Sequence, residues 1–114
     1  MAYLPSYIAS GDMSASVAGA SFKVGPLGVL RAEISWVNSA AAVGTLALEY
    51  MNLAGGWTTH PLSSTVITTQ PNSNAATLTC VWTSLQAYEV LRFTYTRGSG
   101  GGAANLLTVR VAAK

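Results

Sequence analysis

Four carboxylates, one histidine and one cysteine are the side chains of this chain best equipped for catalysis or metal binding: Asp12, Glu33, Glu49, Glu89, His60 and Cys80. A glycosidase-like pair needs two carboxylates facing each other across a cleft. Glu33 and Glu49 fall on segments that read as adjacent strands, but both occupy polar positions expected to face solvent. Neither has an apolar setting that would raise its proton affinity. Glu49 is expected to pair across strands with Arg31. One His and one Cys on separate segments fall short of the four ligands of a typical zinc site. A Ser/His/Asp triad would have to use Asp12, the single aspartate, from an irregular N-terminal stretch, and no nucleophile elbow is present. The chain is therefore read as a non-enzyme with no catalytic residues, no metal and no cofactor, and His60, beside Pro61, as a loop residue.

Binding chemistry is better represented. Trp57 follows Gly55 and Gly56, which suggest a tight or bulged backbone. It is either an exposed platform for a sugar or a protein partner, or a ring folded back over the end of the domain. Tyr88 has the same two readings, rim or lid. The glycines at 98, 100, 101 and 102 do not form a phosphate loop, because the Lys-Ser/Thr pair and the following helix are missing. The six basic residues are scattered, so no electrostatic footprint for nucleic acid is visible. Arg92, Arg97 and Arg110 lie on segments that read as neighbouring strands and could share one face. Direct nucleic-acid binding is not expected.

The elements that must position these residues are strands. In "VLRAEISWV", Leu30, Ala32, Ile34 and Trp36 alternate with Arg31, Glu33 and Ser35, the period of a half-buried strand. "GTLALEYMN" repeats the pattern with Leu46, Leu48 and Tyr50 on one side, and the intervening "NSAAAVG" reads as a loop joining two antiparallel strands. "STVITT" and "ATLTCVW" are rich in β-branched residues and flank the turn signal "QPNSN". In "YEVLRFTYTR" the inner face is Leu91, Phe93 and Tyr95, and in "LLTVRV" it is Leu107, Val109 and Val111. The connecting "GSGGGAAN" suggests a long terminal hairpin. "SFKV" is a short strand ended by "GPLG". Seven to nine strands without a helix predict an all-β, antiparallel two-sheet β-sandwich, jelly-roll-like or immunoglobulin-like, since a single sheet would leave an apolar face wet.

One domain is expected from 114 residues. Residues 17–114 form the sandwich, and residues 1–16 are an N-terminal arm or a frayed first strand, with Tyr3, Leu4, Tyr7 and Ile8 as candidate assembly contacts. Those first residues lack the basic start and apolar core of a signal peptide, and no stretch reads as a membrane span. Charged residues make up 9%, far below the usual ~25%. So few charges repel neighbouring copies weakly, which favours self-association. Cys80 is alone, so no intrachain disulfide forms; in "ATLTCVW" it reads as a small core residue.

Residues 30–114 resemble a small β-module that recurs among bacteriophage virion proteins. The resemblance rests on Trp36 ending a strand, the Gly44-Thr45-Leu46 strand start, and Gly55-Gly56 before Trp57. It rests also on the motif hairpin carrying Arg92, Tyr95, Thr96, Arg97, Ser99 and Gly100, and on the terminal Lys114. Where the module commonly has Ser-Asn-Asp-Gly after its second strand, this chain has Met51, Asn52, Leu53, Ala54 and Gly55, without the acid. The resemblance implies a virion location and a structural role as a capsid decoration or minor capsid protein. Its implied partners are copies of itself, as a trimer or larger symmetric assembly, and other virion proteins. A host-surface glycan is the partner implied by the alternative of an attachment module, and a small shell-forming capsid protein is the other alternative.

Overall fold

The computed structural model describes residues 6–12, 15–37, 43–62, 67–69, 75–99 and 106–114. Tyr3, Leu4 and Gly100 lie outside the described residues, as do the side chains of Tyr7, Ile8, Trp36 and Ser99. The described residues contain strands and turns, with no helix.

Two antiparallel sheets pack face to face. The first has the order β1 (Ser6–Asp12), β10 (Leu106–Ala113), β4 (Leu30–Val37), β8 (Ala75–Trp82). The second has the order β2 (Val17–Ala18), β9 (Val90–Ser99), β5 (Val43–Met51), β6 (Trp57–Thr59). There β3 (Phe22–Lys23) also pairs with β9, and β7 (Ile67–Thr69) with β5. The two-residue segments β2 and β3 form one interrupted edge, and β6 and β7 form another. Counted so, eight successive strands are distributed 1-8-3-6 and 2-7-4-5. Among the described strands, every step in the chain crosses between sheets except the one from β5 to β6. That is jelly-roll order. An immunoglobulin arrangement would keep the first two strands side by side in one sheet.

The alternation read from sequence is the alternation of burial. Leu30, Ala32, Ile34, Leu107, Val109 and Val111 from the first sheet meet Leu46, Leu48, Leu91, Phe93 and Tyr95 from the second. Trp82 tilts against Phe93 with ring centroids 5.9 Å apart, and Phe22 stacks on Phe93 at 6.3 Å. Cys80 is a buried free thiol in this core, and burial pushes its pKa up.

The strand pairing differs from the sequence reading in three places. The segment after β4 does not join two paired strands, because β4 and β5 lie in different sheets. The terminal segment is not a hairpin either: β9 pairs with β5 and β10 pairs with β4 and β1, so the glycine-rich stretch links the two sheets. Arg110 is consequently in the sheet opposite Arg92 and Arg97. The physical reason is common to all three. Alternation reports which face of a strand is wet, not which strand lies beside it, and in a jelly roll most sequence neighbours are on opposite sheets. Residues 6–12, part of the segment read as an arm or frayed strand, form edge strand β1 on β10.

Candidate functional site

Glu33 and Glu49 lie on the outer faces of opposite sheets, so these carboxylates point away from each other across the sandwich and cannot share a substrate. Arg31 pairs with Glu33 on its own strand, at 3.3 Å on an exposed surface, and not with Glu49. Glu49 belongs to a different cluster. In the β5–β9 register it faces Arg92, whose Nε donates to Glu49 Oε1 at 2.8 Å. The Thr94 hydroxyl donates to the same oxygen at 2.5 Å. The Arg92 guanidinium lies over the Trp57 ring, 4.5 Å from its centroid. Trp57 is half-buried on β6, and the covered ring face is not a free platform.

Of the residues that carried the resemblance, Gly44, Thr45, Leu46, Trp57, Arg92, Tyr95, Thr96 and Arg97 lie on this β9–β5–β6 seam, whereas Trp36 is on β4 in the other sheet. Leu46 faces Tyr95, Gly44 faces Arg97, and Thr45 faces Thr96 in register, while Trp57 is held by Arg92. Lys114 lies elsewhere, its backbone exchanging hydrogen bonds with Val29 at 2.9 and 3.2 Å. Gly44 matters through space. Its inward face receives the Tyr95 ring, and a Cβ there would collide with the Tyr95 hydroxyl and lie 2.6 Å from the Thr96 carbonyl oxygen.

The second cluster lies where the β3–β4, β5–β6 and β8–β9 connections meet. His60, read as a loop residue, does lie just beyond the end of β6, and it is only 8% exposed. Its Nδ1 accepts the Leu62 N–H at 3.0 Å, so the ring proton sits on Nε2, which donates to Glu89 Oε1 at 3.1 Å. Tyr50 packs edge-on against the imidazole, and the Leu62 carbonyl accepts the Trp82 indole N–H at 3.0 Å. Both ring nitrogens are thus engaged, and the His60–Glu89 pair ties the β8–β9 loop to the residues after β6. The signal available in the sequence was weak: His60 sits beside Pro61 and 29 residues from its partner.

Backbone bonds complete this end. Leu85 N–H donates to Gly28 O at 3.1 Å and Val24 N–H to Glu89 O at 2.9 Å. Gly28 has φ +64, and a side chain there would run into the Leu85 carbonyl, so glycine is required. Above this base project Leu27, Leu53 and Tyr88, exposed by 66%, 109% and 60%. Tyr88 is held in the left-handed region, φ 62, which is uncommon for a residue with a side chain. An open groove beside them is lined by Tyr50, Met51, Leu53, Gln86, Glu89 and Val90. Trp57 and Tyr88 do not share neighbours: the first is covered by Arg92 and the second stands on the loop rim. Among the described residues no group of three His, Cys, Asp or Glu side chains could hold a metal ion.

Comparisons of the chain with protein-family profiles, with characterised proteins and with solved structures found no match.

Proposed function

We propose that this protein is a structural component of a bacteriophage virion, a capsid decoration or minor capsid protein, and that it acts by packing against copies of itself and other virion proteins. The observation that carries this reading is the jelly-roll strand order, an architecture used by viral capsid and lectin domains. Fold alone does not assign function, so the surface must add to it. The charge-poor composition and the projecting Leu27, Leu53 and Tyr88 suit a face meant to be covered. The test is mass spectrometry of virions banded from a lysate of the host in which the gene is expressed. The protein should be present in fixed stoichiometry with the major shell protein, and its absence from particles would overturn the reading.

A second reading is favoured by one observation. Tyr88 is an exposed aromatic whose backbone N–H donates to the Gly25 carbonyl, and it precedes Glu89 and Val90 of the groove wall, which suits stacking on a host-surface glycan. Retention on a glycan array that disappears in Tyr88→Ala would support it; retention unchanged by that substitution would refute it.

A further inference from the structure

A sandwich of two open sheets has four edges, and each edge is a row of backbone groups able to pair with another chain unless it is blunted. Three of the four are blunted here. The β2/β3 edge is broken into two-residue pieces and carries exposed Lys23. The β6/β7 edge is split into two three-residue pieces, and Pro61 follows the first of them. The β1 edge has a register shift between Tyr7 and Ala9 and also contacts β2 and β9 of the other sheet.

The fourth edge, β8, has none of these devices. It runs eight residues in unbroken register on β4, from Trp82 opposite Leu30 to Ala75 opposite Val37. Its sequence, AATLTCVW, has no charge, proline or glycine. Among the described residues no strand pairs with its outer side, and Val81 is exposed by 58% on the outer face of the sheet.

We propose that β8 is a self-association edge, and that two copies of this chain join by antiparallel β8–β8 pairing about a two-fold axis. The first sheet then continues from one protomer into its partner as eight strands. A second copy fits this edge better than an arbitrary peptide for two reasons. Antiparallel pairing of identical strands in a same-parity register keeps Cys80 and Trp82 on the core side and Thr79 and Val81 on the outer side in both copies. A strand without charges also meets its own copy without like-charge repulsion. The inference rests on the sheet edge and stands or falls separately from the virion reading.

The test is light scattering of the full chain across a concentration series, beside Thr79→Lys and Val81→Lys. Both positions are exposed, so at concentrations where the unsubstituted chain is monomeric both variants should keep its thermal midpoint, while lysines facing their copies weaken dimerisation by at least ~100-fold. Hydrogen exchange on the unsubstituted chain supplies a readout that does not depend on a variant folding. Amides of residues 75–82 should gain protection at high concentration, with little change in β1 and β6. A chain that stays monomeric throughout the series would overturn the proposal, as would an oligomer that persists in folded Val81→Lys or shows no protection in β8. A trimer of that persistent kind would leave the virion reading standing.

Discussion

Gly44 and Tyr95 test the core geometry most directly, because the structure predicts opposite signs for two conservative changes. The Tyr95 ring is completely buried, and among the described residues its hydroxyl has no hydrogen-bond partner. An unsatisfied buried hydroxyl costs about 1–3 kcal/mol, and losing one oxygen leaves a void too small to cancel that. Tyr95→Phe should therefore leave the protein unchanged or more stable by about 1 kcal/mol. Gly44→Ala should do the reverse. The φ of Gly44 is not left-handed, so alanine would gain about 0.5–1 kcal/mol from reduced chain entropy if there were room. There is none, and overpacking of about 1–3 kcal/mol should win.

The double variant discriminates further. Phenylalanine removes the collision with the hydroxyl but keeps the close approaches to the ring Cε1 and to the Thr96 carbonyl, both 2.6 Å, so only about 1 kcal/mol of the Gly44→Ala penalty should return. Urea unfolding followed by tryptophan fluorescence measures all three. With a slope of about 1.5 kcal/mol/M, 1 kcal/mol moves the midpoint by about 0.7 M. A Tyr95→Phe protein less stable by more than about 1 kcal/mol would show that the hydroxyl is hydrogen-bonded. Strict additivity in the double variant would show that the hydroxyl does not sit over Gly44.

Arg92→Lys keeps the charge but loses the planar stack on Trp57 and the Nε bond to Glu49, and should lower stability by about 1–2 kcal/mol with a shift in tryptophan emission. His60→Ala strands the Leu62 N–H and removes the partner of Glu89 Oε1; a loss of about 2 kcal/mol in urea unfolding and faster hydrogen exchange across residues 83–89 are expected. Cys80 should react with a disulfide reagent at neutral pH only after unfolding, because burial raises its pKa and favours the neutral thiol. The stability linked to that shift is intact below the ordinary thiol value and is lost as pH rises through the raised one, so melting temperature followed into alkali should fall faster than in Cys80→Ala. Deleting residues 1–16 strips β1 from β10 and should lower the melting temperature by several degrees in calorimetry.

Inner and outer faces were legible from the residues: Leu30, Ala32 and Ile34, Leu91, Phe93 and Tyr95, and Leu107, Val109 and Val111 are buried as the period of two requires. Two sheets followed, because that much apolar surface needs a partner. Pairing was not legible. Glu49 reads equally well against Arg31 or Arg92, since each is a cation on the wet side of a strand, and only sheet order selects Arg92. His60 was missed for a related reason. Its burial depends on Glu89 arriving from another connection and on Leu62 folding beneath the ring, and neither is a local property. Trp57 had two readings because the residue that covers it, Arg92, is 35 positions away.

The glycine-rich stretch near the C-terminus takes on a different meaning once strand order is known. A hairpin would have made β9 and β10 neighbours in a single sheet. By passing between sheets, the chain puts β9 and β10 in interior positions, each flanked on both sides, and places the first and last strands side by side. The edges are then assigned to the shortest segments of one sheet and to β1 and β8 of the other. Of these, only β8 combines length, regular register and absence of charge. Neutral, β-branched sequence is suited equally to a central strand and to an edge that another chain will cover; it is poorly suited to an edge that stays in water. Among the described residues β8 is an edge, so its composition is accounted for when a second chain completes the sheet.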